Sequence, residues 1–516
     1  MKFKISCPLF GSASPTWRII MENIRYASHE YLEELKQLAD KRRGEIRSTP
    51  NNAYEGVRCF FVSPYGNDEN DGLSPHKAWR TLAHLNDESL IPGSVVYFER
   101  DGIWRERFRA RPGVTYTAYG RGAKPRFYGS PFNAASHGEW RETEVKDIYV
   151  YSEPIRTDIG GIFFDGGIKH SVKVIPSYEN GVPAIDRTYR RAFASWRELE
   201  NDLDFFHDFG APICESKTES DPGGLVYLCS KNGNPSGRFE EIEFNTRGNV
   251  IGVGGDDVTF DNLTVMYGGS HGIGGGTVKN LTVKNCVIGF IGGSIQFYRD
   301  GRVTRFGNGI ELYGGCENFT IENCYVHDCY DAGITHQLSA GGENGVNHTH
   351  VVFADNLIEN CVYGIEYFLG KSDNGASRVM RDIKYTGNFI RYSGCGWGNE
   401  RPDSDCQAAI KGWDHRNEAY DFVIENNIFE CSTWNLVHNG CERDEWGPKY
   451  SRNVFIGRRN GGLARYGANP SKQYLLNSYS VSSDIFKDNE FCYTELVPDE
   501  PDRLHLPSAP DKYQQL

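Results

Sequence analysis

Two hydrophobic periodicities divide the chain. In residues 22–47, apolar positions recur at helical spacing, with Leu35 and Leu38 on one face and charged side chains over the rest. This pattern stops before Pro50, so we predict one helix that caps an end of a larger body. From Arg58 onward the apolar runs are short and are separated by Gly, Asn and Asp, which predicts short strands joined by turns.

A short motif recurs through the second half of the chain, as in "VKNC", "IENC" and "IENN". Alignment of its copies gives one column of polar or small residues: Asn262, Cys286, Cys324, Asn356, Asn388, Asn427, Asn453 and Asn489. The spacings are 24, 38, 32, 32, 39, 26 and 36 residues. A period in the mid-twenties, lengthened by loop insertions, is typical of a parallel β-helix, whose coils stack about 4.8 Å apart. We therefore expect stacked Asn and Cys ladders.

A strand precedes each copy of the motif. Its inward position is apolar in every coil: Ile273, Ile310, Ile334, Ile365, Ile410, Val437 and Ala464. Because side chains alternate along a strand, the next residue points outward. We call this outward set the polar column: Gly274, Glu311, Thr335, Glu366, Lys411, His438 and Arg465. Two residues further on lies a second outward set, rich in aromatic residues: Tyr313, Gln337, Phe368, Trp413 and Gly440. Both columns are predicted to face solvent on one side of the solenoid.

Composition narrows the possible partners. The chain has 516 residues and a net charge of −13, and an acidic protein repels phosphate backbones, so we expect no nucleic-acid partner. No apolar run reaches 18 residues, so we expect no membrane partner. The 14 cysteines are dispersed, which predicts buried free thiols in a reducing compartment. Residues 1–20, which precede a second methionine, make a poor signal peptide, and the expected location is cytoplasmic.

The segments "CFFVSPYGNDENDGLSPHKAWRTL", "PGSVVYFERDGIWRE" and "AYGRGAKP" resemble the entry segment of right-handed parallel β-helix proteins. These proteins form the pectate-lyase-like superfamily of carbohydrate-active enzymes. The stretches "RFGNGIE", "YDAGITHQ" and "YGIEYF" resemble bacterial β-helix glycoside hydrolases. The resemblance implies an all-β, right-handed parallel β-helix that acts on a carbohydrate. It also implies site roles for Glu311, Asp331, Gln337 and Glu366.

The repeat and the resemblance together divide the chain into five segments. Residues 1–57 form an N-terminal segment with the helix, and 58–134 form the entry of the β-helix. Residues 135–245 are less regular and are predicted to be an insertion that closes one wall of a cleft. The catalytic core of the solenoid is predicted at 246–498, and the polar stretch 499–516 is predicted to be a tail.

The carboxylates of the polar column favour glycoside hydrolysis without a cofactor. Glu311 and Glu366 are predicted two coils apart, about 10 Å between backbones, which approaches the spacing of inverting enzymes. Asp331 lies in the turn before Thr335 and could pair with either glutamate nearer the retaining distance of about 5 Å. Crowded carboxylates raise one another's pKa, which provides a proton donor.

Two other functions remain open from the sequence. A polysaccharide lyase or epimerase acting on uronic acids would use Ca²⁺, held by Glu311, Asp331 and Glu366, and Lys411 or Arg465 as the base. A non-catalytic glycan-binding module is the second alternative. The column could also be a purely structural set of salt bridges, with no functional role.

The residues around the carboxylates are predicted to bind substrate. Tyr313, Phe368 and Trp413 offer apolar platforms for sugar rings, and polar groups beside them offer hydrogen bonds: Gln337, Lys411, His438 and Arg465. His336 alternates inward and is predicted to be buried and hydrogen-bonded. The long loop 394–406 is predicted to overhang the groove and block one end, which would make the enzyme exo-acting.

Overall fold

Three long β-sheets enclose one continuous apolar core in the computed structural model of this chain. Each complete coil contributes one strand to sheet III, the next to sheet I and the next to sheet II, so the chain advances as a parallel β-helix. This confirms the predicted fold class. The structure describes residues 25–86, 89–175, 177–179, 182–186, 191–193, 195–208, 223–299, 302–341, 346–373, 375–400, 407–413, 415, 417–441, 443–458, 462–466, 473–475 and 485–494.

Sheet I has eleven parallel strands: Cys59–Val62, Val95–Glu99, Thr115–Tyr119, Val258–Asp261, Val278–Lys284, Cys316–Glu322, His348–Ala354, Val379–Thr386, Glu418–Glu425, Lys449–Ser451 and Phe486–Lys487. Sheet II also has eleven: Arg25–Tyr26, Ile103–Trp104, Arg126–Tyr128, Thr264–Met266, Val287–Ile291, Tyr325–Cys329, Leu357–Glu359, Phe389–Ser393, Ile428–Ser432, Val454–Arg458 and Glu490–Thr494. Sheet III has ten, of which the last is antiparallel: Phe108–Ala110, Ile251–Val253, Ile273–Gly275, Ile310–Tyr313, Ala332–Leu338, Tyr363–Leu369, Ala408–Gly412, Asn435–Asn439, Gly462–Tyr466 and Gln473–Leu475.

The predicted ladder lies at the corner between sheets I and II. The side-chain amide of Asn356 donates to the Oδ1 of Asn388 at 2.9 Å, and the same bond repeats upward through Asn427, Asn453 and Asn489. Each amide therefore satisfies its neighbour where the strand ladder is interrupted. The prediction of stacked Asn residues is confirmed. The cysteines of the described residues are free thiols, as predicted.

The N-terminal helix spans His29–Arg47, with Ser28 as its N-cap, and so begins later than predicted. Its buried face of Leu35, Ala39 and Ile46 packs on outward apolar residues of sheet II: Val287, Tyr325, Leu357, Phe389 and Ile456. The helix therefore covers a face of the solenoid instead of capping its end. The reason is that sheet II has an apolar outer face, which a helix can bury.

The segment predicted as an irregular insertion contains ordered strands with their own apolar clusters, and these strands pair antiparallel except Val172–Lys173 with Asp204–Asp208. The strands are Trp140–Glu142, Ile148–Tyr151, Ile159–Phe164, Lys169–His170, Val172–Lys173, Ser177–Glu179, Val182–Asp186, Arg191–Ala192, Asp204–Asp208, Leu225–Cys229 and Ile242–Thr246. A hairpin of Ser294–Arg299 and Arg302–Phe306 rises beside it. The other helical pieces are short: Pro75–Lys77, Ala83–Asn86, Asp165–Gly167, Trp196–Glu198, Pro235–Arg238, Trp397–Glu400 and Asp444–Trp446.

None of the described helices combines the length and the apolar character needed to cross a membrane. The predicted tail at 499–516 lies outside the described residues.

Candidate active site

The polar column is a continuous ladder on the outer side of sheet III. Strand register places its members directly above one another: Gly274, Glu311, Thr335, Glu366, Lys411, His438 and Arg465. The inward positions Ile273 to Val437 form the matching ladder in the core, and all of them are fully buried. The predicted register of sheet III is therefore confirmed. The side chain of Arg465 lies outside the described residues.

The column is covered, which differs from the predicted open face. Glu311, Glu366 and Lys411 each expose 5% of their surface, His438 exposes 6% and Thr335 none. The prediction failed because alternation along a strand fixes only which way a side chain points, and neighbouring side chains close over this one. Groups buried in this way interact more strongly than they would in water.

Glu311 is held on one oxygen by three side chains. Its Oε2 accepts from the Nδ2 of Asn308 and, at 2.9 Å, from the Nε2 of Gln337, and it lies 3.2 Å from the Nδ1 of His271. The amide of Asn308 is oriented because its Oδ1 accepts from the backbone N–H of Ala332 at 2.7 Å. The structure thus assigns Gln337 to the orientation of a carboxylate.

His271 lies against Glu311 and is also bonded to the backbone of Asn308. The Nδ1 of His271 accepts from the backbone N–H of Asn308 at 3.1 Å, as an unprotonated ring nitrogen does. The same nitrogen lies 3.2 Å from the Oε2 of Glu311. An imidazole therefore lies in contact with the Glu311 carboxylate beside the polar column.

Glu366 carries a different partner. Its Oε1 lies 3.1 Å from the Nζ of Lys411, and both side chains are about 94% buried. The same ammonium lies 3.4 Å from the ring centre of Tyr363 and 4.6 Å from that of Trp413. These contacts fix the ammonium and the carboxylate in one geometry. Between the two glutamates, the Oγ1 of Thr335 is buried and has no hydrogen-bond partner among the described residues.

The predicted aromatic platforms divide into two kinds. Tyr313 and Trp413 expose 43% and 49% of their surfaces, as a platform for a sugar ring requires. Phe368 exposes only 7% and belongs to the packed wall, so the prediction of an open platform there is corrected. His438 is nearly buried beside the exposed Trp413, with 6.4 Å between the two ring centres.

Asp331 is half-buried at the start of the strand Ala332–Leu338, four residues before Thr335. At about 3.3 Å per residue, its Cα lies roughly 13 Å along the strand from the row of glutamates. That spacing does not favour the short carboxyl–carboxyl distance expected from the sequence. A catalytic role for Asp331 stays a prediction.

Sequence reasoning missed His271, Asn308 and Tyr363, although one signal unites them. Each stands two residues before an inward isoleucine, in the repeated pattern X-Gly-Ile. The register of sheet III continues this position through Ala332, Tyr363, Ala408 and Asn435. The column before the glycine therefore supplies side chains that touch the polar column, and it could have been read from the same alignment.

The wall beside Asn308 is built from distant segments. Arg305, in the hairpin that precedes Asn308, donates to the carbonyls of Gly293 and Gly160 at 2.6 and 2.7 Å and lies over the ring of Tyr330. Trp397 packs edge-on against Phe163 of the antiparallel insertion. The insertion therefore packs against the hairpin and against Trp397, and a cleft wall formed by residues 135–245 stays a prediction. Of the predicted overhanging loop, residues 401–406 lie outside the described residues.

Comparison with known proteins agrees with this fold. The family described as "Right handed beta helix region" matches residues 215–339. No curated protein matches the sequence. Among solved structures, a GH136 lacto-N-biosidase from Eubacterium ramulus is 13% identical, with 90% of this chain and 71% of that chain covered and a TM-score of 0.35. XylC in complex with xylose is 12% identical, with 86% and 87% covered and a TM-score of 0.36.

Pectate lyase Pel9A is also similar, at 13% identity, with 81% of this chain and 80% of that chain covered and a TM-score of 0.34. The parallel sheets and the matched family region together identify the fold as a right-handed parallel β-helix.

Proposed function

We propose that this chain is a glycoside hydrolase whose catalytic carboxylates are Glu311 and Glu366. One observation carries the proposal: the two glutamates lie in one column of sheet III, two coils apart, and each is held by a different set of partners. Glycosidases need two carboxyl groups with unlike protonation, and unlike surroundings provide this.

The surroundings of the two glutamates support different roles for them. Lys411 neutralises Glu366 in an ion pair, so Glu366 is the carboxylate that activates water. Glu311 instead contacts the imidazole of His271 and the amides of Asn308 and Gln337, and it is the group we assign as proton donor to the leaving oxygen. The contacts of the Glu311 carboxylate with described residues all involve Oε2. The other oxygen, Oε1, is therefore the one that we expect to face the substrate.

The spacing favours inversion of the anomeric centre. Two strand spacings place the glutamate backbones about 9.6 Å apart, and the carboxyl groups project in parallel from the same face of the sheet. Inverting enzymes hold their carboxyl groups about 6.5–9.5 Å apart, which leaves room for a water molecule. A retaining pair would occupy adjacent coils, and there the intermediate position is Thr335.

A carbohydrate is the substrate class because apolar and polar groups alternate at the rim. Tyr313 and Trp413 are the exposed aromatic residues beside the column, and sugars stack their apolar ring faces on such residues. Gln337, Lys411 and His438 lie beneath them as hydrogen-bonding groups. A non-catalytic glycan-binding module would not need two buried glutamates with separate partners.

The lyase alternative receives less support. Lys411 is held as an ion-paired ammonium beneath two aromatic rings, which makes it a poor base. Among the described residues, three metal-binding side chains converge within 4.8 Å only at Cys316, His336 and His348, so the three carboxylates of the polar site are not gathered around a single point.

The test is a panel of aryl glycosides and uronic oligosaccharides, assayed for reducing sugar and for near-ultraviolet absorbance of an unsaturated product. We expect reducing sugar without absorbance, and activity that survives EDTA. Glu311→Gln and Glu366→Gln should each lower kcat by at least about 10²-fold. Glu317→Gln is the matched control, because Glu317 lies on sheet I in a surface pair with Lys279. Full activity in both site variants, or an unsaturated product, would contradict the proposal.

A further inference from the structure

A second polar cluster lies inside the solenoid, behind sheet III. Cys316 and His348 are register neighbours in sheet I, and His336 points inward from sheet III towards them. All three side chains are buried, and their potential ligand atoms lie within 4.8 Å of one another. An apolar core has no packing reason to bring a thiol and two imidazoles together, because burial of polar groups is unfavourable unless they are bonded.

Hydrogen bonds orient the two rings so that their Nδ1 atoms converge. The Nε2 of His348 lies 2.8 Å from the carbonyl oxygen of Gly314, so Nε2 carries the hydrogen and Nδ1 keeps a lone pair. The Nδ1 of His336 lies 2.8 Å from the Nδ1 of His348, and the Nε2 of His336 lies 2.6 Å from the hydroxyl of Tyr385. Metal-binding histidines have this arrangement, with one nitrogen on the ion and the other bonded to a carbonyl or hydroxyl.

Cys316 differs from the thiols of the cysteine ladders. Cys286, Cys324, Cys329 and Cys361 each donate to a backbone carbonyl two residues earlier. Cys316 donates to no such carbonyl among the described residues; its sulphur has the backbone of Thr349 as a partner and lies within 4.8 Å of an imidazole nitrogen of each ring. A ladder cysteine needs only to fill space, whereas this thiol is oriented towards two nitrogen ligands.

We propose that Cys316 Sγ and the Nδ1 atoms of His336 and His348 bind one thiophilic transition-metal ion, Zn²⁺ or copper. Thiolate and imidazole are the ligands that both ions prefer. Metal–ligand bonds of about 2.0–2.3 Å require neighbouring ligand atoms roughly 3.3–3.6 Å apart. The two nitrogens must therefore separate by about 0.5 Å from their present 2.8 Å, and the sulphur already lies within 4.8 Å of both.

The proton balance of binding is simple. The ion displaces the thiol proton of Cys316, which leaves the protein. The hydrogen between the two Nδ1 atoms transfers within the His336 ring to Nε2, which then donates to the Tyr385 hydroxyl, so the imidazoles release none. Met380 is the register neighbour of His348 in the next coil and is also buried. A thioether at that position favours copper over zinc.

The site does not depend on the proposed hydrolase function, and metal content tests it directly. The full chain should be expressed in medium supplemented with Zn²⁺, Cu²⁺ or Co²⁺, since the ligands are buried, and then purified and analysed by mass spectrometry for metals. We expect one ion per chain, and for the cobalt form a thiolate-to-metal charge-transfer absorption in the near-ultraviolet. These readings use the unmutated protein, so they hold even where a variant fails to fold.

Variants then locate the ion. Cys316→Ser should remove the charge-transfer absorption and lower bound metal at least tenfold, whereas the control Cys324→Ser should change neither, because Cys324 is a buried ladder thiol with carbonyl partners. Met380→Leu should lower copper content without changing zinc content. Less than a tenth of an ion per chain in every medium, or a metal content that Cys316→Ser leaves unchanged, would overturn the proposal and leave the cluster as a neutral hydrogen-bond chain.

Discussion

Replacing Lys411 with Met tests whether the polar column is buried in solution. Methionine keeps the apolar stem of the lysine and removes the ammonium, so the carboxylate of Glu366 loses the partner that lies 3.1 Å away. Each of these side chains is only 6% exposed, so water cannot replace the lost interaction. The rings of Tyr363 and Trp413 lose a cation at the same time.

The magnitude follows from that burial. Removal of one partner from a buried ion pair costs about 3–5 kcal/mol, and loss of the aromatic contacts adds roughly 0.5–2 kcal/mol. Adding Glu366→Gln to the lysine variant removes the stranded charge and should restore about 2–3 kcal/mol. The matched control is Lys279→Met, because Lys279 and Glu317 also form an ion pair but are 59% and 46% exposed. Its loss should change stability little.

The measurement is the free energy of unfolding by denaturant for the wild type, Lys411→Met, Glu366→Gln, the double variant and the control. Refutation has two forms. If Lys411→Met is no more destabilising than Lys279→Met, the column is open to water. If the double variant is no more stable than Lys411→Met, the stranded carboxylate is not what destabilises the protein.

Three further predictions concern stability. Burial lowers the pKa of Lys124 to about 8, so above that pH the unfolded chain binds more protons than the folded chain, and stability should rise up to about pH 10.5. Lys124→Met should flatten this pH dependence and add about 2 kcal/mol to the free energy of unfolding at pH 7. Burial lowers the pKa of His207 to about 4, so up to about 3 kcal/mol of stability should be lost as pH falls from 6.5 to 4, and His207→Gln should weaken that dependence. Arg391→Met, which removes the ion-pair partner of the buried Glu430 while Glu359 keeps its bonds to Arg43, should cost about 3–5 kcal/mol in denaturant unfolding.

The register of the coils was predictable because each repeat contains two positions that mark it. The Asn and Cys column marks the corner between sheets I and II, and the inward isoleucines mark sheet III. Insertions fall in the loops between these two marks, so the alignment survives spacings that range from 24 to 39 residues. Alternation then assigns Glu311 and Glu366 to the outer face without further information.

The partners of those glutamates were not predictable by alternation. Asn308 lies before its strand Ile310–Tyr313, so the rule that assigns faces along a strand does not extend to it. Tyr363 begins its strand two residues before the inward Ile365, where alternation would assign it to the inner face. His271 reaches Glu311 from the coil below, 40 residues earlier in sequence. These residues together bury the polar column, and no local sequence pattern predicts that burial.

The strand Ala332–Leu338 joins the two clusters of this molecule. Thr335 and Gln337 point outward into the polar site, and His336 between them points inward to Cys316 and His348. A ligand that fixes His336 therefore also fixes the backbone from which Gln337 orients Glu311. Metal loading and hydrolase activity, although proposed from separate observations, share this one strand. If the metal site and the hydrolase function are both real, removal of the ion should lower the binding and turnover of substrate. The effect should exceed that of a conservative substitution elsewhere in the apolar core.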